Sequence, residues 1–355
     1  MNTTALLLLL TTTALSATPA PPSSVSSSVS SAPSLAPSPI WASFPPVMAA
    51  PVRASWSTRS APVVCPDDDA WVATVQTPSC VRIATHRPRR PSSGGGAPTL
   101  VVYLHADLYP VVLDSGFLRF LAGAAPQAVV VGMLRPGFRD VDGDETRAVG
   151  QHGFGDAYLR SDALVVGEAI AALKARHGAR RVVVIGASGG AAIAANVAAL
   201  SPGLVDDAVV ASCPCDLASW REHRGRTSAD AVAAARWQRP FRSLSPRSTA
   251  SLVPATTRVT LIAGERDDNT PPAVHAPYLA ALQAAGVDAS LIVVHGSGHA
   301  VLDAPRARHL IRGVLAPSSS SLASPSLASA ATGALVAGSA AVRGGVGTPS
   351  VRDAP

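Results

Sequence analysis

Three residues of this 355-residue chain have the types and spacing that acyl transfer needs. Ser188 stands in Gly186-Ala187-Ser188-Gly189-Gly190, a G-x-S-x-G pattern in which a strand turns sharply into a helix. A Cβ two residues before or after such a serine would clash with the adjoining strand or helix, so glycine fits both places. The turn lifts the hydroxyl above the sheet and sets the N–H groups of Gly189 and Gly190 at a helix N-terminus, where developing negative charge is favoured. A hydroxyl nucleophile needs a base, and the base needs an orienting acid. Asp267 lies in "GERDDNTPP", three residues past Gly264, and His299 follows a Gly-Ser-Gly turn in "HGSGHAVL". The order Ser188, Asp267, His299, each just past an apolar run, is one in which nucleophile, acid and base recur. A phosphate loop competes for the glycines. It would require G-x-G-x-x-G or a Gly-Lys-Ser/Thr ending, and this turn has neither.

Two neighbours compete for these roles. Asp268 adjoins Asp267, and only one of two successive side chains in an extended loop can reach the imidazole. The other is expected to face solvent or cap the helix that begins near Pro271. Of the nine histidines, His295 sits at the strand end itself and is expected to point into packing. His105, His152, His223 and His275 read as surface or structural residues.

The elements that must hold these residues follow from the apolar pattern. Buried-strand runs occur at Thr99–Leu104, Ala128–Met133, Arg181–Gly186, Asp207–Ser212, Arg258–Gly264 and Ser290–Gly296. Helical spacing separates several of them: a segment ending at Gly178, an alanine-rich stretch after Ser188, "AVHAPYLAALQAAG", and a last helix near Pro305 to Leu315. Continuous apolar strands alternating with helices predict an α/β fold, a mainly parallel sheet covered on both faces. In such sheets ligands collect at the carboxyl ends of the strands, which is where the three residues lie.

With "VVYLHADL", "GASGG", "GERDDNTPP" and "GSGHAVL" in place, the stretch from about Leu100 to Leu315 resembles the α/β-hydrolase family. It is most similar to the branch of dienelactone hydrolases and prolyl-oligopeptidase catalytic domains. The resemblance implies Ser188 as nucleophile, Asp267 as acid and His299 as general base, with no cofactor and no metal. It also implies an oxyanion hole from the N–H groups of Gly189 and of the residue after a His-Gly pair. Here the pair is His105-Ala106, so by position Asp107 supplies the second donor and its carboxylate must turn away from the oxyanion. The implied function is a serine hydrolase cleaving a carboxylic ester. A prolyl-oligopeptidase-like serine peptidase and an inactive hydrolase-fold binding module remain as alternatives, and the linkers also allow a surface protein spaced from a wall or membrane.

Two long segments follow strand ends. Arg135–Arg160 is glycine-rich and charged; Asp216–Pro246 carries Trp220, Trp237 and Phe241. Each reads as a lid over the pocket or as a surface excursion packed by its own aromatics.

The rest of the chain frames this domain. Residues 1–17, with an apolar stretch from Ala5 to about Leu15, read as a signal peptide, too short to span a membrane. Export, to the outside or the cell surface, is the expected localisation, with a cytoplasmic protein as the alternative. Residues 18–61 and 317–355 are rich in Ser, Pro, Ala and Gly and read as solvated linkers, leaving 62–316 as the catalytic domain. The net charge is +6, and all but one of the 29 basic residues are arginine. These are scattered, without the aromatic-laced stripe of a nucleic-acid protein, so the expected partner is a small ester or peptide. Cys65 and Cys80 are expected to pair in an exported protein. A bond across Pro214 would be strained, so Cys213 and Cys215 read as two buried thiols near a strand end.

Overall fold

The computed structural model describes residues 64–88, 97–146 and 158–316. The expectations for the signal peptide, both linkers, His152 and the middle of the Arg135–Arg160 segment lie outside the described residues.

The described strands are β1 (Trp71–Thr74), β2 (Ser79–His86), β3 (Thr99–Leu104), β4 (Val129–Met133), β5 (Arg181–Ala187), β6 (Asp207–Ala211), β7 (Arg258–Gly264) and β8 (Asp288–Val294). The helices are α1 (Gly116–Ala124), α2 (Arg160–Arg176), α3 (Gly189–Leu200), α4 (Leu217–Arg226), α5 (Ala231–Gln238), α6 (Pro246–Thr249), α7 (Pro272–Ala284) and α8 (Pro305–Leu315). The strands form one sheet in the order β1-β2-β4-β3-β5-β6-β7-β8. From β4 to β8 every neighbouring pair is parallel, while β1 and β2 add an antiparallel edge. Thus the mainly parallel sheet read from the sequence is present, extended by two strands and by α1, none of which was anticipated.

Period-two alternation divides the core into two layers. Val182 and Val184 of β5 face the layer built with α2, α3 and α7, whereas Val183 and Ile185 face the layer built with α1 and α8. Both faces of β5 are therefore dry, which is why its sequence shows an unbroken apolar run rather than polar alternation. Helix α3 is buried almost all round, and its alanines let it sit close against the sheet beneath Ser188.

Cys65 and Cys80 are joined by a disulfide, as are Cys213 and Cys215. The second bond corrects the expectation of two free thiols. The separation of the two flanking Cα atoms is set at Pro214, whose φ is fixed by its ring, and the chain turns there instead of extending. The two Cα atoms come within 5.0 Å, inside the range a disulfide spans. A residue spacing does not disclose that turn.

Candidate active site

The strand-to-helix turn holds Ser188 at φ 52, ψ −119, a backbone conformation that costs a non-glycine residue of order 1–3 kcal/mol. Its N–H donates to the carbonyl of Ala211 at the end of β6, 2.8 Å away, which ties the turn to the neighbouring strand. The glycines on either side are sterically required. A Cβ on Gly186 would overlap the backbone of Gly190 and Ala191, and one on Gly190 would overlap the carbonyls of Leu104 and His105.

The loops after β7 and β8 bring the other two residues to this hydroxyl. His299 Nε2 lies 3.0 Å from Ser188 Oγ, and His299 Nδ1 lies 2.9 Å from Asp267 Oδ2 and 3.0 Å from Oδ1. The carboxylate is buried and fully engaged. Oδ1 accepts the N–H groups of Asn269 and Thr270, and Oδ2 accepts the Thr270 hydroxyl at 2.7 Å. Burial by itself would raise the pKa of Asp267. The hydrogen bonds from His299 and from the Thr270 backbone and hydroxyl outweigh it and hold the carboxyl well below the usual range. Asp267 therefore stays ionised beside the imidazole. Thr270 and Asn269 were not picked out from the sequence, although Asp-x-Asn-Thr is a pattern in which an aspartate accepts from the N–H groups just after it.

Asp268 is exposed, and α7, which begins at Pro272 after Pro271 at the N-cap, has no side-chain cap. Of the two roles open to Asp268, it takes the solvent-facing one. Its carbonyl accepts from His223 Nε2. His295 does not point into packing: its side chain is exposed and bonds to Glu265. The strand has already ended, and the turn through Gly296, at φ +71, swings that ring outward. His275 is buried and accepts the Cys213 N–H. His105 is buried as well, donating from Nδ1 to Ala106 O while Nε2 accepts the Arg135 N–H.

The predicted oxyanion residues stand together. The N–H groups of Asp107 and Gly189 donate to no acceptor among the described residues, so both are available. The Asp107 carboxylate takes Arg135 Nη1 at 2.7 Å and the Tyr158 hydroxyl at 2.6 Å. It lies so close to Gly189 that any side chain there would overlap it. Arg135 also donates to the carbonyl of His105. Both ends of the Arg135–Arg160 segment thus hold the strand end that carries Asp107, an assignment the sequence did not suggest.

A cavity of about 290 Å³ opens beside Ser188, walled by the ends of β3, β5 and β6, by Phe117 and by residues 299–303. No residue of Asp216–Pro246 lines it. That segment instead braces the acid loop. Trp220 Nε1 donates to Asn269 O, and Trp220 and Trp237 pack edge to face at 5.1 Å. A larger cavity of about 690 Å³ lies among Arg221, Trp237 and Phe241, and none of the three candidate residues lines it. Among the described residues, no three His, Cys, Asp or Glu side chains converge as a metal site would require, and no helix is long and apolar enough to cross a membrane.

Residues 151–316 match the prolyl oligopeptidase family. An esterase of Pyrococcus furiosus superposes with a TM-score of 0.52 at 15% identity, over 70% of this chain and 91% of its own. The chain has the α/β-hydrolase fold. The fold likeness extends to dipeptidyl peptidase 4 of Porphyromonas gingivalis, with a TM-score of 0.51 at 16% identity, over 69% of this chain but only 34% of that larger chain. No curated protein matches. The family match places this chain among the serine hydrolases, as an esterase or a peptidase.

Proposed function

We propose that the protein hydrolyses carboxylic esters through an acyl-enzyme on Ser188. The observation that carries this reading is one unbroken line of contacts, Ser188 Oγ to His299 Nε2 and His299 Nδ1 to the ionised Asp267. In the first half-reaction His299 takes the hydroxyl proton as Ser188 Oγ bonds to the ester carbonyl carbon. Asp267 fixes the tautomer with the proton on Nδ1 and stabilises the imidazolium that forms. The carbonyl oxygen becomes an oxyanion that accepts from the N–H groups of Gly189 and Asp107. These amides need no reorganisation at the moment of reaction, the condition under which such donors contribute most. The imidazolium then protonates the departing alkoxide. In the second half-reaction His299 deprotonates a water, which cleaves the acyl-enzyme and restores Ser188.

The small, largely apolar cavity supports an ester over a peptide, since several residues of peptide would need more room. The peptidase alternative draws support from the family match. Export is part of the proposal, and two disulfides support an oxidising compartment. A panel of matched p-nitrophenyl esters and peptide p-nitroanilides, run with Ser188→Ala as control, tests the reading. Ester turnover that disappears in the variant is expected; turnover confined to the anilides would move the function to the peptidase alternative.

A further inference from the structure

We propose that the cavity beside Ser188 is an acyl-binding pocket selecting uncharged, medium-chain or arylalkyl acyl groups, with Leu302 and Leu108 setting its length limit. The inference rests on the hydrolase reading above. It starts from what the walls are made of. Tyr103, Phe117, Val301 and Leu302 present apolar surface, and small Ala187 and Ala211 leave the space between the strand ends open. No lysine or arginine lines the cavity, and the one charged residue on its wall besides His299, Asp303 at the exposed rim, is a carboxylate already paired with Arg308 at 3.1 Å, so an acyl group ending in a carboxylate finds no cationic partner there.

The cavity's hydroxyls support the same selection. Ser188 carries the nucleophile, and Ser212 Oγ is committed to the His299 carbonyl at 2.7 Å. Tyr103 is the third. Burial, reinforced by the charge of Asp303, pushes its pKa up to about 12, so it adds no charge at neutral pH.

Geometry assigns the cavity to the acyl side. Ala106 and Leu108 flank Asp107, so the space adjoins the place where the carbonyl oxygen sits. The leaving group must depart past His299, whose side chain is 35% exposed and faces water. Size sets the class. An apolar cavity of about 150 Å³ holds benzene, so about 290 Å³ suits an acyl group of roughly six to ten carbons.

The test measures kcat/KM on p-nitrophenyl acetate, butyrate, hexanoate, octanoate, decanoate and palmitate, and on a hemisuccinate ester. A second series varies the alcohol of a fixed butyrate. Fluorophosphonate labelling of Ser188 is read on the same preparation. Expected is a rise of about fourfold per methylene until the pocket fills, then a decline by palmitate, with the hemisuccinate far below butyrate. Leu302→Trp should lower the octanoate-to-acetate ratio by about tenfold or more. Leu302 is buried, so Leu108→Trp, at an exposed position on the mouth, gives a second narrowing that the core tolerates. A labelled Ser188 with a flat acyl profile overturns the pocket while leaving the hydrolase reading intact. So does a profile that follows the alcohol instead, or an unchanged ratio in both variants. Absent labelling with absent ester turnover brings down the hydrolase reading, and the pocket with it.

Discussion

The hydroxyl of Ser212 donates to the carbonyl oxygen of His299 at 2.7 Å, so the end of β6 holds the backbone that carries the imidazole. Ser212 reaches this carbonyl because it leaves the strand at φ +47. A neutral hydrogen bond of this kind is worth about 1 kcal/mol. Ser212→Ala should therefore lower kcat by about two- to tenfold, with little effect on the circular dichroism spectrum. Steady-state kinetics on a short ester checks this, and an unchanged kcat would mean that the loop after β8 is positioned by other contacts.

The acid can be assigned by paired variants. Asp267 contacts His299 Nδ1 with a buried carboxylate, whereas Asp268 is exposed and uses only its carbonyl. Asp267→Asn favours the wrong histidine tautomer and should lower kcat by about 10⁴-fold. Asp268→Asn should leave kcat and thermal stability close to those of the parent. Comparable losses of kcat in the two variants would contradict the assignment.

Stability should fall in acid, with His105 as a main cause. Burial, and then the charge of Arg135, pushes its pKa from 6.5 down to about 3. Below pH 6.5 the unfolded chain binds a proton that the folded ring refuses. The stabilisation is thus fully present above 6.5 and is lost progressively as pH falls toward 3. The full span amounts to on the order of 5 kcal/mol. Buried His275 shifts in the same direction. Asp267, held below the carboxylate range, adds a further loss at still lower pH. Urea unfolding across this window should show His105→Gln with a shallower pH slope than the parent; equal slopes would remove His105 from the account.

How much of this was legible in the sequence depended on whether a signal was local. Val182–Ile185, Gly186–Gly190 and Asp267 within "GERDD" are contiguous patterns, so β5, the elbow and the candidate acid could be read directly. Strand β2 alternates buried and half-buried positions from Ser79 to Ile83, but a strand next to the sheet's edge with Arg82 on its polar face resembles a polar loop until its partners β1 and β4 are known. Helix α1 has only nine residues, Gly116–Ala124, after the cap Ser115, and lacks the length that makes a helical period stand out. Arg135 and Tyr158 reach Asp107 from 28 and 51 residues away. That is a tertiary convergence no spacing encodes. The Cys213–Cys215 bond depends on the turn at Pro214 that brings the two Cα atoms within 5.0 Å, which residue spacing does not encode.

The Cys65–Cys80 bond closes a loop with a sequence separation of 15, and closing such a loop stabilises by about 3 kcal/mol through the unfolded chain. Cys65→Ser should lower the unfolding free energy by about that amount while leaving kcat near the parent value. Calorimetry and a non-reduced peptide map check this. Both thiols free in protein recovered from an oxidising compartment would contradict it.

Covalent labelling shows whether Ser188 is the nucleophile. Folded protein at neutral pH is treated with a fluorophosphonate, digested and mapped by mass spectrometry. One adduct per chain is expected on Ser188, abolished in Ser188→Ala and strongly slowed in His299→Ala, because the hydroxyl is activated through His299 Nε2 at 3.0 Å. Intact, folded protein that remains unlabelled, or that carries its adduct on another residue, would contradict that role.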